Sequence, residues 1–175
     1  MKFHRIMTAK KILILDQLQI QQKINRIAHQ ILEDNFDEKE IILAGVVSRG
    51  YKLALRLEKV LSKIADFKIT IIKLELEKDS SKLESKIDIP LASCENKVII
   101  LVDDVLNSGR TLAYGLGVFL NIPLKKLRSV VLIDRSHKNF PVSTDFVGLE
   151  LSTILKEHVT VRLDEEGEED GVYLI

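Results

Sequence analysis

The spacing of apolar and polar positions changes several times along the chain, and each change marks an element. Residues 11–15, "KILIL", have the composition of a short strand. From Asp16 the spacing turns helical: Leu18, Ile20, Ile24, Ile27, Ala28, Ile31 and Leu32 mostly follow one face, and Asp16 stands where an N-cap belongs. "DNFDEKE" closes that helix. "IILAGVV" (41–47) is apolar without alternation, as in a strand covered on both faces. "SRG" (48–50) reads as a tight turn and "YKLALRLEKVLSKI" (51–64) as an amphipathic helix. A strand follows at "FKITIIKLEL" (67–76), then a polar, Pro-containing stretch, 77–96, expected as a long loop with room for a short hairpin. "KVIILVD" (97–103) is a further buried strand, "RTLAYGLGVFLN" (110–121) a Gly-containing helix, and "KLRSVVLID" (126–134) another strand. After the turn "RSHKNFP", shorter strands are expected at 145–150, 158–163 and 171–175. Residues 1–10 show no period and are expected to be a flexible lead to one domain spanning 11–175. Strand–helix alternation with continuously apolar strands predicts an α/β fold, a parallel sheet with helices on both faces.

Composition narrows this picture. A chain of 175 residues with 46% hydrophobic content is long enough to bury one sizeable core. The 26 Lys and Arg balance the 26 Asp and Glu, which argues against bulk coating of nucleic acid and leaves only a local basic patch for such a role. The single cysteine, Cys94, cannot form an internal disulfide and fits a reducing compartment. The beginning of the chain lacks the apolar core of a secretory signal, and no apolar run reaches the roughly 20 residues of a membrane span, so a cytoplasmic protein is expected.

Ligands of parallel α/β sheets bind at the carboxyl ends of the strands. Three polar clusters fall there: Ser48-Arg49-Gly50, the stretch from Asp103 to Thr111, and Asp134-Arg135 with His137. The second lies within "VIILVDDVLNSGRTL" (98–112). Its "NSGRT" has the chemistry of a phosphate cradle: Gly109 permits close backbone approach, Ser108 and Thr111 supply hydroxyls, and the following helix start offers free amides. Asp103 and Asp104 would repel a phosphate but suit vicinal hydroxyls, so a sugar carrying a phosphate on one arm satisfies both halves of the stretch. No G-x-x-x-x-G-K-[ST] occurs, and "GLG" (115–117) lies inside a helix, which removes the P-loop and dinucleotide readings. A response-regulator receiver would carry its acidic pocket at the first strand, whereas this pair lies past the midpoint.

"VIILVDDVLNSGRTL" resembles the phosphoribosyl pyrophosphate (PRPP) signature of the type I phosphoribosyltransferases. The resemblance extends through "ILDQLQIQQKINRIAHQILEDN", "LAGVVSRGYKLALRLEKVL", "VVLIDRSHKNFPVSTDFVGLEL" and "VTVRLDEEGEEDGVYLI" to the branch of pyrimidine-operon attenuation regulators that are also uracil phosphoribosyltransferases. It implies that Asp103 and Asp104 hold ribose hydroxyls, and that Asn107, Ser108, Gly109, Arg110 and Thr111 bind the 5′-phosphate. Ser48, Arg49 and Gly50 would bind pyrophosphate, and Asp134 and Arg135, with His137 close by, would face the nucleobase. The implied reaction joins a base, uracil first, to PRPP to give a nucleoside monophosphate such as UMP and pyrophosphate, through an oxocarbenium-like transition state. Mg²⁺ is implied as a companion held mainly by PRPP oxygens, without a dedicated protein cage. A homo-oligomer and a small cap near the base site are also implied.

Departures from the family pattern are equally specific. Asn107 stands where oxopurine-specific relatives commonly carry an acid, and an amide cannot serve as a proton-accepting base there. The loop at 77–89 is shorter than the usual mobile cover, with Lys78-Asp79 in the place of an Arg-Asp segment. Regulators of this branch bind a messenger-RNA hairpin; Arg26 and His29 match RNA-facing positions, whereas Asn25 and Leu149 replace a Thr and a Lys. Two alternatives to the enzyme therefore stay open: an RNA-binding attenuation regulator of pyrimidine genes, and a sensor that binds PRPP or nucleotide without turnover.

Overall fold

The computed structural model describes residues 11–76, 85–135, 137–153, 157–164 and 167–175. The expected lead at 1–10 and the Lys78-Asp79 segment lie outside the described residues.

Strand β1 (Ile12–Leu15) leads into helix α1 (Gln17–Asp34). Asp16 caps that helix as its position in the sequence suggests: its carboxylate accepts from the Gln19 amide at 2.8 Å while Gln19 Oε1 accepts from the Asp16 amide at 3.0 Å. Ile20, Ile24, Ile27 and Ile31 are fully buried on one face, each side chain contributing about 1.5–3 kcal/mol by leaving water. Leu18 is 67% exposed, because two residues from Ile20 is more than half a turn away. Buried Asn35 ends the helix by donating Nδ2 to the Ile31 carbonyl at 2.8 Å.

The main sheet continues with β2 (Glu40–Val46), helix α2 (Arg49–Ile64), β3 (Lys68–Leu76), β4 (Ser85–Ile87), a 3₁₀ turn at Leu91–Cys94, β5 (Val98–Leu106), helix α3 (Arg110–Phe119), β6 (Lys126–Asp134) and β7 (Phe146–Glu150). Its order is β4-β3-β2-β5-β6-β7, parallel from β3 to β7 and antiparallel only at β4. Helices α1 and α2 cover one face, with Leu53, Leu57 and Leu61 on Ile41, Leu43 and Ile100. Helix α3 covers the other, with Leu112 and Phe119 on Ile42, Ile99 and Leu101. The near-continuous apolar strands follow from this double cover.

Strands β8 (Val159–Arg162) and β9 (Gly171–Leu174) do not extend the main sheet. They form a second, antiparallel sheet in the order β1-β9-β8, which is the cap. Arg56 on α2 pairs with Asp164 and Asp170, and Lys52 donates to the Asp164 carbonyl at 3.2 Å, so α2 grips the cap at the connection between β8 and β9.

At the opposite end of the sheet, Glu40 joins three strands. Its carboxylate meets Lys97 Nζ at 3.0 Å, Lys68 Nζ at 3.2 Å and the Thr70 hydroxyl at 2.9 Å. The hydrogen bond from Lys97 outweighs burial and holds the Glu40 carboxyl at about 2, well below the usual range.

Candidate active site

The strand order places a crevice between β2 and β5. From β2 the chain crosses through α2 to β3 on one side; from β5 it crosses through α3 to β6 on the other. Such a reversal leaves a gap at the carboxyl ends of the two strands. Pairing of β2 with β5 stops at Gly45 and Val102, but β5 runs on beside β6 to the pair Leu106–Asp134. Asp103 and Asp104 are therefore strand residues with an open edge beside them, rather than the end of a strand as the sequence suggests.

Strand alternation sends the two carboxylates to different faces: Asp103 follows Ile99 and Leu101 toward α3, and Asp104 follows Ile100 and Val102 toward α2. Asp103 is 8% exposed, and its Oδ1 accepts from the Asp104 amide at 2.9 Å. Arg49, the first residue of α2, brings Nη1 to 3.9 Å from Asp104 Oδ2. "SRG" is thus a cap and helix start rather than a free turn, with Ser48 at the N-cap. Gly50 allows this approach: a Cβ there would lie 2.5 Å from the Val102 carbonyl oxygen and 2.9 Å from the Cα of Asp103.

The turn after β5 is pinned from outside. The Ser108 carbonyl accepts from the Asn139 and Phe140 amides at 2.8 and 3.1 Å, and Ser108 Oγ accepts from the Arg110 amide at 3.3 Å. Gly109, the N-cap of α3, has φ +83°, and a Cβ there would meet Val142 at 2.6 Å. The opening amides of α3, with their positive dipole end, point out of this turn.

These parts surround a cleft of about 300 Å³, lined by Arg49, Asp103 and Asp104, by the run from Val105 to Gly109, by Thr111, Leu112, Val131 and Arg135, and by His158 and Val159 of the cap. A smaller recess of about 210 Å³ shares Arg49, Asp103 and Asp104 and adds Val46, Val47 and Ser48. The two together offer carboxylates for hydroxyls, amides and hydroxyls for one anion, and a guanidinium for a second.

Not every residue singled out in the sequence lines this cleft. Arg110 lies outside its lining, with the guanidinium over the Tyr114 ring at 5.1 Å. Asp134 is buried and paired with Lys138 Nζ at 3.0 Å, also outside the lining. The His137 ring bonds the Thr153 carbonyl. Asn107 lines the cleft, but its Oδ1 accepts from Arg135 Nη1 at 3.1 Å rather than from the turn of Ser108 and Gly109.

The cap that the resemblance implies is present, but sequence reasoning missed the two residues by which it lines the cleft, His158 and Val159. His158 and Ile175 exchange both backbone hydrogen bonds at 2.9 Å, so the next residue, Val159, turns its N–H and C=O away from β9. Strand β8 is the edge of the cap sheet, and that edge meets the cleft at Val159. The alternation in "HVTVR" marks a strand but carries nothing about where its edge would dock.

Comparison with known proteins agrees with this fold. The phosphoribosyl transferase domain family matches residues 13–166. The chain is 35% identical over 160 residues to the bifunctional protein PyrR of Haemophilus ducreyi, covering 87% of this chain and 89% of that protein. It is 34% identical over 174 residues to the bifunctional protein PyrR of Bacillus subtilis, covering 93% and 96%. A hypoxanthine-guanine phosphoribosyltransferase from Bacillus anthracis, solved with a HEPES molecule in its active site, superposes with a TM-score of 0.77 at 20% identity over 94% of this chain and 98% of that one. The hypoxanthine phosphoribosyltransferase of Trypanosoma cruzi gives 0.77 at 19% identity over 93% and 94%, a likeness of fold alone. With the family matched across most of its length and its relatives nearly end to end, the chain belongs to the phosphoribosyl transferase family, in the branch that holds the bifunctional PyrR proteins.

Proposed function

We propose that the protein transfers the phosphoribosyl group of PRPP to uracil, giving UMP and pyrophosphate. The observation that carries this reading is the arrangement around β5: a carboxylate pair beyond the last residue paired with β2, a turn of small and hydroxylated residues that opens a helix, and Arg49, all lining one cleft. In this reading Asp103 and Asp104 accept hydrogen bonds from the ribose hydroxyls. The 5′-phosphate lies in the turn of Ser108, Gly109 and Thr111, with the main chain of Asn107 and Arg110 completing it. Ser48 and Arg49 hold the pyrophosphate, and Gly50 acts by letting α2 approach.

In the reaction the bond from C1′ to the pyrophosphate oxygen breaks, its electron pair leaving with pyrophosphate. C1′ bonds the ring nitrogen of uracil, whose proton passes to solvent. The chain's groups position the partners and stabilise the departing charge. Uracil fits the base end of the cleft because the edge of β8 offers one donor and one acceptor at Val159, the pairing that a keto oxygen next to a ring N–H requires.

Mg²⁺ fits as a companion of PRPP. Among the described residues no three His, Cys, Asp or Glu form a metal cage, whereas pyrophosphate and ribose oxygens with water supply the hard ligands this ion prefers. Bound there, it would neutralise pyrophosphate charge beside Arg49. Among the described residues no helix is long and apolar enough to cross a membrane, and we place the reaction in the cytoplasm as part of the same proposal.

The test is pyrophosphate release from PRPP and Mg²⁺ with uracil, cytosine, hypoxanthine and guanine supplied separately. Release with uracil is the expected result. Release with a purine alone would overturn the base assignment, and PRPP binding without release for any base would establish the sensor reading instead.

A further inference from the structure

Asn107 leaves β5 at the point where the cleft meets Arg135. A guanidinium carries only donors, so the hydrogen bond from Arg135 Nη1 to the Asn107 side chain at 3.1 Å admits one amide orientation, with Oδ1 toward Arg135 and the NH₂ group turned from it. The guanidinium that sets this orientation is itself fixed. Arg135 is 3% exposed, donates from Nε and Nη2 to Thr153 Oγ1 at 3.1 and 2.9 Å, and donates from Nη2 to the Glu157 carbonyl at 2.6 Å. Asn107 itself is exposed and lines the cleft, so what it has to offer a ligand is a donor.

We propose that Asn107 is a specificity residue whose NH₂ donates to a keto oxygen of the nucleobase, with Arg135 as the positioning residue that holds the amide in that sense. The inference rests on the transfer to uracil proposed above. A base with an amino group at the same place would set donor against donor, leaving both without a partner in a closed site. An Asp at position 107 would accept from Arg135 equally well but would offer the base an acceptor, and so would reverse the preference.

The test is a comparison of uracil with 2-thiouracil and 4-thiouracil in the wild-type protein and in Asn107→Asp. Sulfur accepts hydrogen bonds poorly, so each thio base is expected to lose about tenfold in kcat/KM against uracil in the wild type, through KM, one at the oxygen that the Val159 amide meets and the other at the oxygen that Asn107 meets. In Asn107→Asp, uracil itself is expected to lose about tenfold and one of the two thio effects to shrink to about twofold while the other, at Val159, persists, with the KM for PRPP unchanged. Two thio effects that both persist in Asn107→Asp, or a loss that falls on PRPP instead, overturn the role of Asn107. Arg135→Lys keeps the charge and removes the planar fork. It is expected to shrink the same thio effect at constant KM for PRPP, and an effect of wild-type size there overturns the positioning role. Failure of the underlying reading looks different: wild-type protein that turns over no keto pyrimidine at all overturns uracil transfer before any variant is made.

Discussion

Arg49 Nη1 stands 3.9 Å from Asp104 Oδ2, across the crevice where β2 and β5 separate. At that distance, with the arginine side chain 45% exposed, the pair adds little to stability and leaves the guanidinium donors for a ligand. Local charge balance is the consequence: the carboxylate that would hold ribose keeps the cation that would hold pyrophosphate at the mouth of the same cleft.

Arg49→Ala should therefore affect ligands selectively. The affinity for PRPP is expected to fall about tenfold or more, the loss of a charge-assisted contact, while UMP, which has no pyrophosphate, binds as before. Calorimetric titration with both ligands decides this, and equal losses for the two would point to a general charge effect.

Replacing both Asp103 and Asp104 by Asn should weaken PRPP binding about tenfold or more and leave the fold intact. The fold is spared because Asn can still accept the hydrogen bond that the Asp104 amide gives to residue 103. Unchanged PRPP affinity in a folded double variant would remove the ribose assignment.

Gly50→Ala and Gly117→Ala make a matched pair. At Gly50 the new Cβ meets the backbone of β5, which cannot yield locally, so a loss of about 1–3 kcal/mol and a raised KM for PRPP are expected. At Gly117, on α3, nothing lies within 4 Å of the added Cβ, and alanine should stabilise by about 0.5–1 kcal/mol. Thermal melts of the two variants give the signs directly.

Glu40 gives the protein an acid-dependent component of stability. Its carboxyl, held at about 2 by Lys97, lies below the value of about 4.3 expected for an unfolded chain, so the folded state binds fewer protons. The contribution is complete above the unfolded value and is lost as pH falls toward 2. Because the pair is partly open to solvent, about 1 kcal/mol is the expected size. Glu40→Gln should lower stability at pH 7 by about that amount and flatten the denaturation profile between about pH 4.5 and 2. An unchanged slope in that window would show that Glu40 is not its source.

Hairpin RNA is expected to bind weakly. Arg26 donates Nη2 to the Val147 and Gly148 carbonyls at 2.9 and 2.6 Å, so much of its hydrogen-bonding capacity is engaged within the fold. Asp34, on the same helix, pairs with Lys126 and Arg128 at 3.0 and 3.2 Å and reduces the positive field there. Gel-shift titration against the leader RNA of pyrimidine genes should give dissociation constants above about 1 µM at about 150 mM salt, in the range of non-specific binding. Nanomolar, sequence-specific binding at that salt would place regulation ahead of catalysis.

The sequence alone determined the parts whose physics is local. The period of Ile20, Ile24, Ile27 and Ile31 set the buried face of α1, and Asp16 with Gln19 set its start. The apolar runs set the main strands closely, β6 to the residue. The small and hydroxylated residues from Ser108 to Thr111 marked a turn that opens a helix, because turn geometry and exposed helix amides depend on a few neighbouring residues.

Only the tertiary structure decided what depends on contacts between distant segments. Strand β1 meets β9 through pairs such as Ile12–Leu174, and no local pattern could show that these strands build a cap apart from the main sheet. The register between β5 and β6 carried the strand through Asp103 and Asp104 and turned their side chains to opposite faces. The sense of the Asn107 amide came from Arg135, 28 residues later, which is held in turn by Thr153 and Glu157. Periodicity and turn chemistry are read over a few residues, whereas strand order, register and amide orientation are selected by the free energy of the assembled core and its buried hydrogen bonds.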